Sequence, residues 1–214
     1  MPRWPFLALT LIASAAAQPA TKKTQPAAPT VLVCFGDSIT AGYGVGRNEA
    51  FPALLQQEFD SRGASIRVIN AGLSGDTTSG GLSRLPQVIA QKPKVVLLEL
   101  GANDGLRGMP ISVTRANLEQ IILTLRSAGI KVVLAGMTLP RNYGPDFIQQ
   151  FEALYADLAK RHKLGLLRFE LEPLAARGLL QNDGVHPTAE GYRVALPKIL
   201  AGLEPALALS GLGR

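Results

Sequence analysis

Ser38 stands in the pentapeptide Gly36-Asp37-Ser38-Ile39-Thr40, directly after the apolar run Val31 to Phe35, which predicts a serine on a sharp strand-to-helix turn. A serine hydroxyl is a poor nucleophile until an adjacent base takes its proton. The chain has only two histidines. His162 lies in Lys160-Arg161-His162-Lys163, which reads as the cationic, solvated end of a helix. His186 lies in Asp183-Gly184-Val185-His186-Pro187, with an acid three residues before it. A single turn holding both lets Asp183 accept from Nδ1 of His186 and leaves Nε2 facing Ser38. Taken alone, this segment reads equally well as an Asp-Gly turn with an exposed histidine. Beside Gly36-Asp37-Ser38 it reads as a general base and its partner.

Acyl transfer through such a serine also needs donors aimed at the developing oxyanion. The candidates are the backbone N–H groups of Ser38 and Gly75 and the side-chain amide of Asn103. Gly75 lacks a Cβ, so its backbone can approach a substrate closely. Asn103 follows the run Val95 to Leu100 and projects onto the same rim. Taken singly, an ordinary turn glycine and a turn asparagine are the commoner occupants of such positions. Asp37 reads as a turn or cap residue, because one side chain does not easily sit beside Ser38 in sequence and behind His186 in space. Asp76 and Asp104 read as organisers of loop hydrogen bonds. Cys34, the single cysteine, reads as a small core residue and excludes an internal disulfide.

These residues need a frame that brings four separated segments to one rim. Strand-like runs at Val31 to Phe35, Ile66 to Asn70, Val95 to Leu100, Lys131 to Met137 and Leu166 to Phe169 alternate with helical patterns, which predicts a parallel sheet covered on both faces. Leu118, Ile121, Ile122 and Leu125 recur at helical spacing, and Gly129 supplies a stop. Phe147, Phe151, Leu154, Tyr155 and Leu158 form a similar stripe after Pro145. A last helix from about Thr188 buries Tyr192, Leu196 and Ile199, with a kink or break expected at Pro197. The predicted fold is a three-layer α/β/α sandwich, flavodoxin-like, with a five-stranded parallel sheet and its site beyond the carboxyl ends of the strands.

At 214 residues and 47% apolar content the chain suits one domain with a sizeable core. Residues 1–17 carry Arg3, the apolar stretch Trp4 to Ile12 and the small-residue exit Ala15-Ala16-Ala17, a secretory signal pattern. The apolar stretch falls short of the ~20 residues that a spanning helix needs. Residues 18–29 read as a flexible spacer and 30–214 as the catalytic domain. The expectation is a periplasmic or secreted protein with no stable membrane span after cleavage. Removing Arg3 lowers the net charge from +6 to +5. No basic run interleaves with aromatics, so nucleic acid is not an expected partner.

The strings Gly36-Asp37-Ser38-Ile39-Thr40-Ala41-Gly42-Tyr43, Ser74-Gly75-Asp76-Thr77, Gly81-Leu82-Ser83-Arg84-Leu85-Pro86, Glu99-Leu100-Gly101-Ala102-Asn103-Asp104-Gly105-Leu106-Arg107-Gly108, Leu139-Pro140-Arg141-Asn142-Tyr143-Gly144 and Asp183-Gly184-Val185-His186-Pro187 occur in that order. Across Val31 to about Pro187 the chain resembles the SGNH (GDSL-type) hydrolases, in the bacterial periplasmic subgroup of arylesterases, acyl-CoA thioesterase I and lysophospholipase L1. The resemblance implies Ser38 as nucleophile, His186 as base, Asp183 as its partner, and Ser38, Gly75 and Asn103 as the oxyanion hole. It implies no metal and no cofactor. Ala102 stands where a second glycine is common.

The expected activity is hydrolysis of carboxylic esters, and in vitro of thioesters, through an acyl-enzyme. Substrates would be aryl esters, short to medium acyl esters or lysophospholipids, small or lipid-like molecules met by a monomeric enzyme. Leu106, Met109, Leu139, Tyr143 and Phe147 flank the expected rim and predict a shallow substrate groove. Glycines in Ser74 to Gly81 and Leu139 to Asp146 suggest loops able to close over it. A carbohydrate O-deacetylase is the alternative enzyme. A non-catalytic lipid-binding module would be expected to have lost Ser38, His186 or a donor, and none is lost. Nucleotide binding conflicts with the acid Asp37 in the first turn.

Overall fold

Five short runs rich in Val, Leu and Ile form one parallel sheet in the computed structural model, which describes Met1, residues 28–169 and residues 172–207. The strands are β1 (Thr30–Gly36), β2 (Ile66–Gly72), β3 (Val95–Glu99), β4 (Lys131–Gly136) and β5 (Gly165–Arg168), in the order β2-β1-β3-β4-β5. Every residue of β3 is buried, and β1 is buried from Leu32 onward in an unbroken run. Strands covered on both faces have no polar face to present, which is why these segments read as continuous apolar runs. Apart from Met1, the expected leader of residues 1–17 and most of the 18–29 spacer lie outside the described residues.

The helices are α1 (Ser38–Ala41), α2 (Phe51–Ser61), α3 (Thr78–Ala90), α4 (Ala102–Leu106), α5 (Ile111–Ser127), α6 (Pro145–His162), α7 (Glu172–Ala175) and α8 (Ala189–Leu207). Helices α2 and α8 pack together on one side of the sheet, while α3, α5 and α6 form the layer on the other. The stripe Leu118, Ile121, Ile122 and Leu125 is the buried face of α5. Its end is a glycine turn: Gly129 has φ +74°, and the amide of Ile130 donates to the Leu125 carbonyl at 3.1 Å. In α6, Pro145 occupies the first turn and Phe151, Leu154, Tyr155 and Leu158 are buried. Its basic last turn, Lys160, Arg161 and His162, lies at the negative end of the helix dipole.

Register brings the site segments to one level. Gly36 pairs with Gly72 on one side and with Glu99 on the other. The chain therefore leaves β1, β2 and β3 at the same height, and the loops carrying Ser38, Gly75 and Asn103 begin side by side. The strand order reverses at β1 and β3, where open α/β sheets bind their ligands.

Two expectations need correction. Helix α8 runs unbroken from Ala189 through Pro197 to Leu207. Pro197 is on its exposed side, where water can satisfy the carbonyl that the proline leaves free, while Tyr192, Ile199, Leu200 and Leu203 hold the inner face. Gly80 and Gly81 belong to α3, not to a mobile loop, because Thr77 caps that helix by accepting from the Gly80 amide at 3.3 Å. Gly81 is small for packing reasons, since a Cβ there would collide with Leu100.

Candidate active site

Ser38 is the first residue of α1, and Asp37 caps that helix by accepting from the Ile39 amide at 3.0 Å. The helix is a single turn ended by Gly42 at φ +82°. So short a helix has little macrodipole, and any support for an anion here must come from individual N–H groups. The Tyr192 hydroxyl donates to the Ile39 carbonyl at 2.8 Å, tying this turn to α8.

His186 reaches the same place from the loop before α8. Its Nε2 is 2.7 Å from Ser38 Oγ, and its Nδ1 is 2.7 Å from Asp183 Oδ2. Asp183 Oδ1 accepts from the amides of Val185 and His186 at 2.9 and 3.0 Å, so the loop's own backbone aims the carboxylate. Burial opposes the charge of Asp183, but these amides and the His186 ring outweigh it and hold its carboxyl below the usual range. An acceptor at Nδ1 fixes the tautomer in which Nδ1–H donates to Asp183 and Nε2 accepts from the serine hydroxyl. The Tyr43 ring lies 4.8 Å from the imidazole, centroid to centroid. Gln181 links the two segments, donating to the carbonyls of Tyr43 at 2.8 Å and Pro187 at 2.9 Å.

Of the other two predicted segments, that of Asn103 is tied to the nucleophile turn and that of Gly75 to the end of α4. Gly75 has φ +80°, and the Arg107 guanidinium donates to its carbonyl at 2.9 Å. Asn103 lies in the first turn of α4, entered through Gly101 at φ +116°. Its Nδ2 donates to Asp37 Oδ2 at 3.2 Å, which places the amide against the residue next to Ser38. Asp104, fully buried, accepts from the Thr78 amide at 2.9 Å and from the Thr78 hydroxyl at 2.5 Å, so α3 and α4 start from one fixed point. Asp76 is the ion partner of Arg84 at 2.6 Å. Both acids organise loops, as their positions in the sequence predicted.

Of the five apolar residues expected at the rim, Leu139 is 5% exposed and packs in the core, where it abuts Gly105. Leu106, Met109, Tyr143 and Phe147 are half-buried. The Tyr143 hydroxyl donates to the Leu106 carbonyl at 2.8 Å and fastens the 3₁₀ turn Arg141–Tyr143 to the end of α4.

Reading the motifs left three residues without a role: Glu99, Thr40 and Arg84. Glu99 is 1% exposed and accepts from the Thr40 hydroxyl at 2.6 Å and amide at 3.2 Å. Burial pushes its carboxyl well above the usual range, and the Asp37 charge beside it adds to the rise. Burial likewise pushes Asp37 up to about 6, against the Ile39 amide, the His186 charge and the hydrogen bonds from Glu99 and Asn103. The signal was in the sequence, since Glu99 is the lone acid in the run Val95 to Leu100. Cys34 is fully buried beside it, and burial pushes its thiol up.

Among the described residues no helix is long and apolar enough to cross a membrane, and no group of three or more His, Cys, Asp or Glu side chains is placed to hold a metal. The model of the GDSL-like Lipase/Acylhydrolase family matches residues 34–194. Esterase TesA of Pseudomonas aeruginosa is 42% identical over 186 residues, covering 86% of this chain and 90% of that protein. Thioesterase 1/protease 1/lysophospholipase L1 of Escherichia coli is 40% identical over 207 residues, covering 95% and 93%. The psychrotrophic esterase EstA from Pseudoalteromonas, solved in a form inhibited by monoethylphosphonate, superposes with a TM-score of 0.79 at 31% identity, over 84% of this chain and 99% of that one. The chain therefore belongs to the GDSL-like lipase/acylhydrolase family and is an ester hydrolase.

Proposed function

We propose that the chain is a serine esterase in which Ser38 is the nucleophile, His186 the general base and Asp183 its orienting partner. The observation that carries this is the pair of 2.7 Å contacts running from Ser38 Oγ through His186 to Asp183. Ser38 Oγ attacks the ester carbonyl as His186 Nε2 takes its proton, and the imidazolium then protonates the leaving alcohol. Water deprotonated by the same nitrogen releases the acid. The amides of Ser38 and Gly75 and Nδ2 of Asn103 donate to the tetrahedral oxyanion.

The preferred substrates are aryl esters, short to medium acyl esters and lysophospholipids, with thioesters cleaved in vitro. The names of the esterase and thioesterase relatives support this range, and half-buried Leu106, Met109, Tyr143 and Phe147 provide an apolar border beyond Asn103. The leader pattern in residues 1–17 supports a periplasmic or secreted enzyme.

Purified protein lacking residues 1–17 would be assayed on p-nitrophenyl esters of increasing chain length, lysophosphatidylcholine, palmitoyl-CoA and an acetylated xylo-oligosaccharide, with Ser38→Ala as blank. Turnover of the acyl esters and lysolipid that disappears in the blank is expected. Undiminished turnover by the variant would exclude Ser38 as nucleophile, and activity confined to the acetylated sugar would move the substrate to carbohydrate esters.

A further inference from the structure

Two buried carboxyl groups lie between the nucleophile turn and the end of β3, and the Ser38, His186 and Asp183 relay uses neither. Asp37 and Glu99 are each 1% exposed. Both oxygens of Asp37 are engaged as acceptors, Oδ1 from the Ile39 amide at 3.0 Å and Oδ2 from Asn103 Nδ2 at 3.2 Å. Glu99 Oε2 accepts from the Thr40 hydroxyl at 2.6 Å, the Thr40 amide at 3.2 Å and the Asp37 amide at 3.4 Å. Glu99 Oε1 is different: it is buried, and no donor among the described residues reaches it.

A buried carboxylate with an oxygen that no donor reaches keeps its full desolvation penalty. Two buried anions side by side add repulsion to that cost. A single proton on Glu99 removes both, because it neutralises one of the two carboxyls and turns the bare oxygen into a donor, and a hydrogen bond from Glu99 favours the Asp37 anion. The surroundings decide which of the two acids keeps the proton. Glu99 is faced by Cys34 of β1, Tyr155 of α6 and Tyr192 of α8, none of which carries positive charge, and it feels the negative charge of Asp37. Asp37 is faced by the Ile39 amide and the Asn103 amide, both of which favour its anion, and by the imidazolium whenever His186 is protonated.

We propose that Asp37 and Glu99 share one proton, held on Glu99, and that the Asp37 anion is the positioning residue for the Asn103 side-chain amide. The two N–H bonds of a planar amide point in fixed directions. With one held on Asp37 Oδ2, the other is aimed outward, toward the place where an ester oxygen becomes an oxyanion. The pair acts through Asn103 and does not touch substrate. The inference rests on Asn103 being an oxyanion donor, as read above.

The test is a double-mutant cycle on p-nitrophenyl ester hydrolysis with Asp37→Asn, Asn103→Ala and the double variant, circular dichroism reporting the fold of each. Replacing Asp37 by an amide leaves one acceptor oxygen for two donors. Asp37→Asn is therefore expected to lower kcat about tenfold with KM nearly constant, and Asn103→Ala to lower it ~10²-fold. The double variant should fall no further than Asn103→Ala alone. Multiplied losses overturn the inference and leave the serine mechanism standing. Full activity in Asn103→Ala overturns the inference together with the donor role of Asn103, while loss of activity in Ser38→Ala would still uphold the nucleophile. The proton is read separately by infrared spectroscopy of the unmutated protein at pH 8, where a protonated carboxyl band that shifts on labelling with carboxyl-¹³C glutamate is expected. Absence of that band overturns the assignment of the proton to Glu99.

Discussion

Arg84 donates through Nη2 to the carbonyl oxygen of Gly36 at 2.6 Å, joining the middle of α3 to the last residue of β1, two positions before Ser38. Its Nη1 donates to the Ala71 carbonyl at the end of β2, and its Nε to Asp76, next to Gly75, each at 2.6 Å. The guanidinium also lies 4.4 Å from the Phe35 ring centroid. One planar fork thus sets the spacing between the nucleophile turn and the glycine loop. An ammonium cannot reach three acceptors in those fixed directions. Arg84→Lys is expected to cost about 2 kcal/mol in stability and to lower kcat more than it raises KM. Thermal denaturation with initial rates checks this, and unchanged values for both would remove the positioning role.

The difference between Arg84 and Ser38 shows which parts of this site a one-dimensional reading reaches. Ser38, Asp183 and His186 carry their chemistry in local strings, so a reactive residue and its neighbours announce each other. Helical spacing likewise disclosed Leu118, Ile121, Ile122 and Leu125, because burial on one face of a helix is periodic. Arg84, Thr40 and Glu99 draw their roles from partners on other elements, at sequence separations of 48 and 59 residues for the Gly36 and Thr40 contacts. Leu139 resembled a rim residue because loop residues beside a site are commonly exposed. Its burial follows from Gly105, whose missing side chain leaves the space that Leu139 fills. Pro197 does not break α8, because the cost of a helix proline depends on which side of the helix faces water.

Gly75 offers a cleaner separation of strain from contact. Its φ of +80° disfavours any residue with a Cβ, yet the nearest atom to such a Cβ would be Arg107 Nη2 at 3.8 Å. Gly75→Ala is therefore not a clash. It should cost about 1 kcal/mol of backbone strain and turn the Gly75 amide away from the oxyanion position. The expected result is a small loss of thermal stability with a roughly tenfold or greater fall in kcat. A variant as active as the parent would show that this amide is not a donor in the reaction.

Asp183→Asn tests the orientation of the imidazole. An amide can turn its N–H toward Nδ1 and favour the tautomer that presents Nε2–H to Ser38, which then has no base. A loss in kcat of ~10³- to 10⁴-fold is expected, with the fold intact. The depressed pKa of Asp183 sets the pH dependence of its own contribution. Its hydrogen bonds stabilise the folded state above the ordinary carboxylate range and are lost only as pH falls through the lowered value. Activity lost between pH 7 and 5 therefore reports another group. Direct observation of the Asp183 carboxyl by ¹³C resonance titration, showing protonation within that interval, would contradict this.

Asp37 behaves in the opposite sense. Its carboxyl is raised to about 6 in the folded protein, by burial first, against an ordinary value near ~4 in the unfolded chain. As pH rises from about 4 to 6 the unfolded state gives up this proton first, so folding stability attributable to Asp37 declines over that window and stays lower above it. The shift corresponds to on the order of 2 to 3 kcal/mol. Asp37→Asn lacks that decline. Whatever the variant loses by having one acceptor for the Ile39 and Asn103 donors, its stability relative to the parent should improve between pH 4.5 and 7.5. Urea unfolding at the two pH values measures the difference. An equal or worsening gap would mean that Asp37 is not held uphill as an anion. An improving gap joined to a lower kcat would show a nucleophile turn that gives up folding stability to keep a charge beside Asn103.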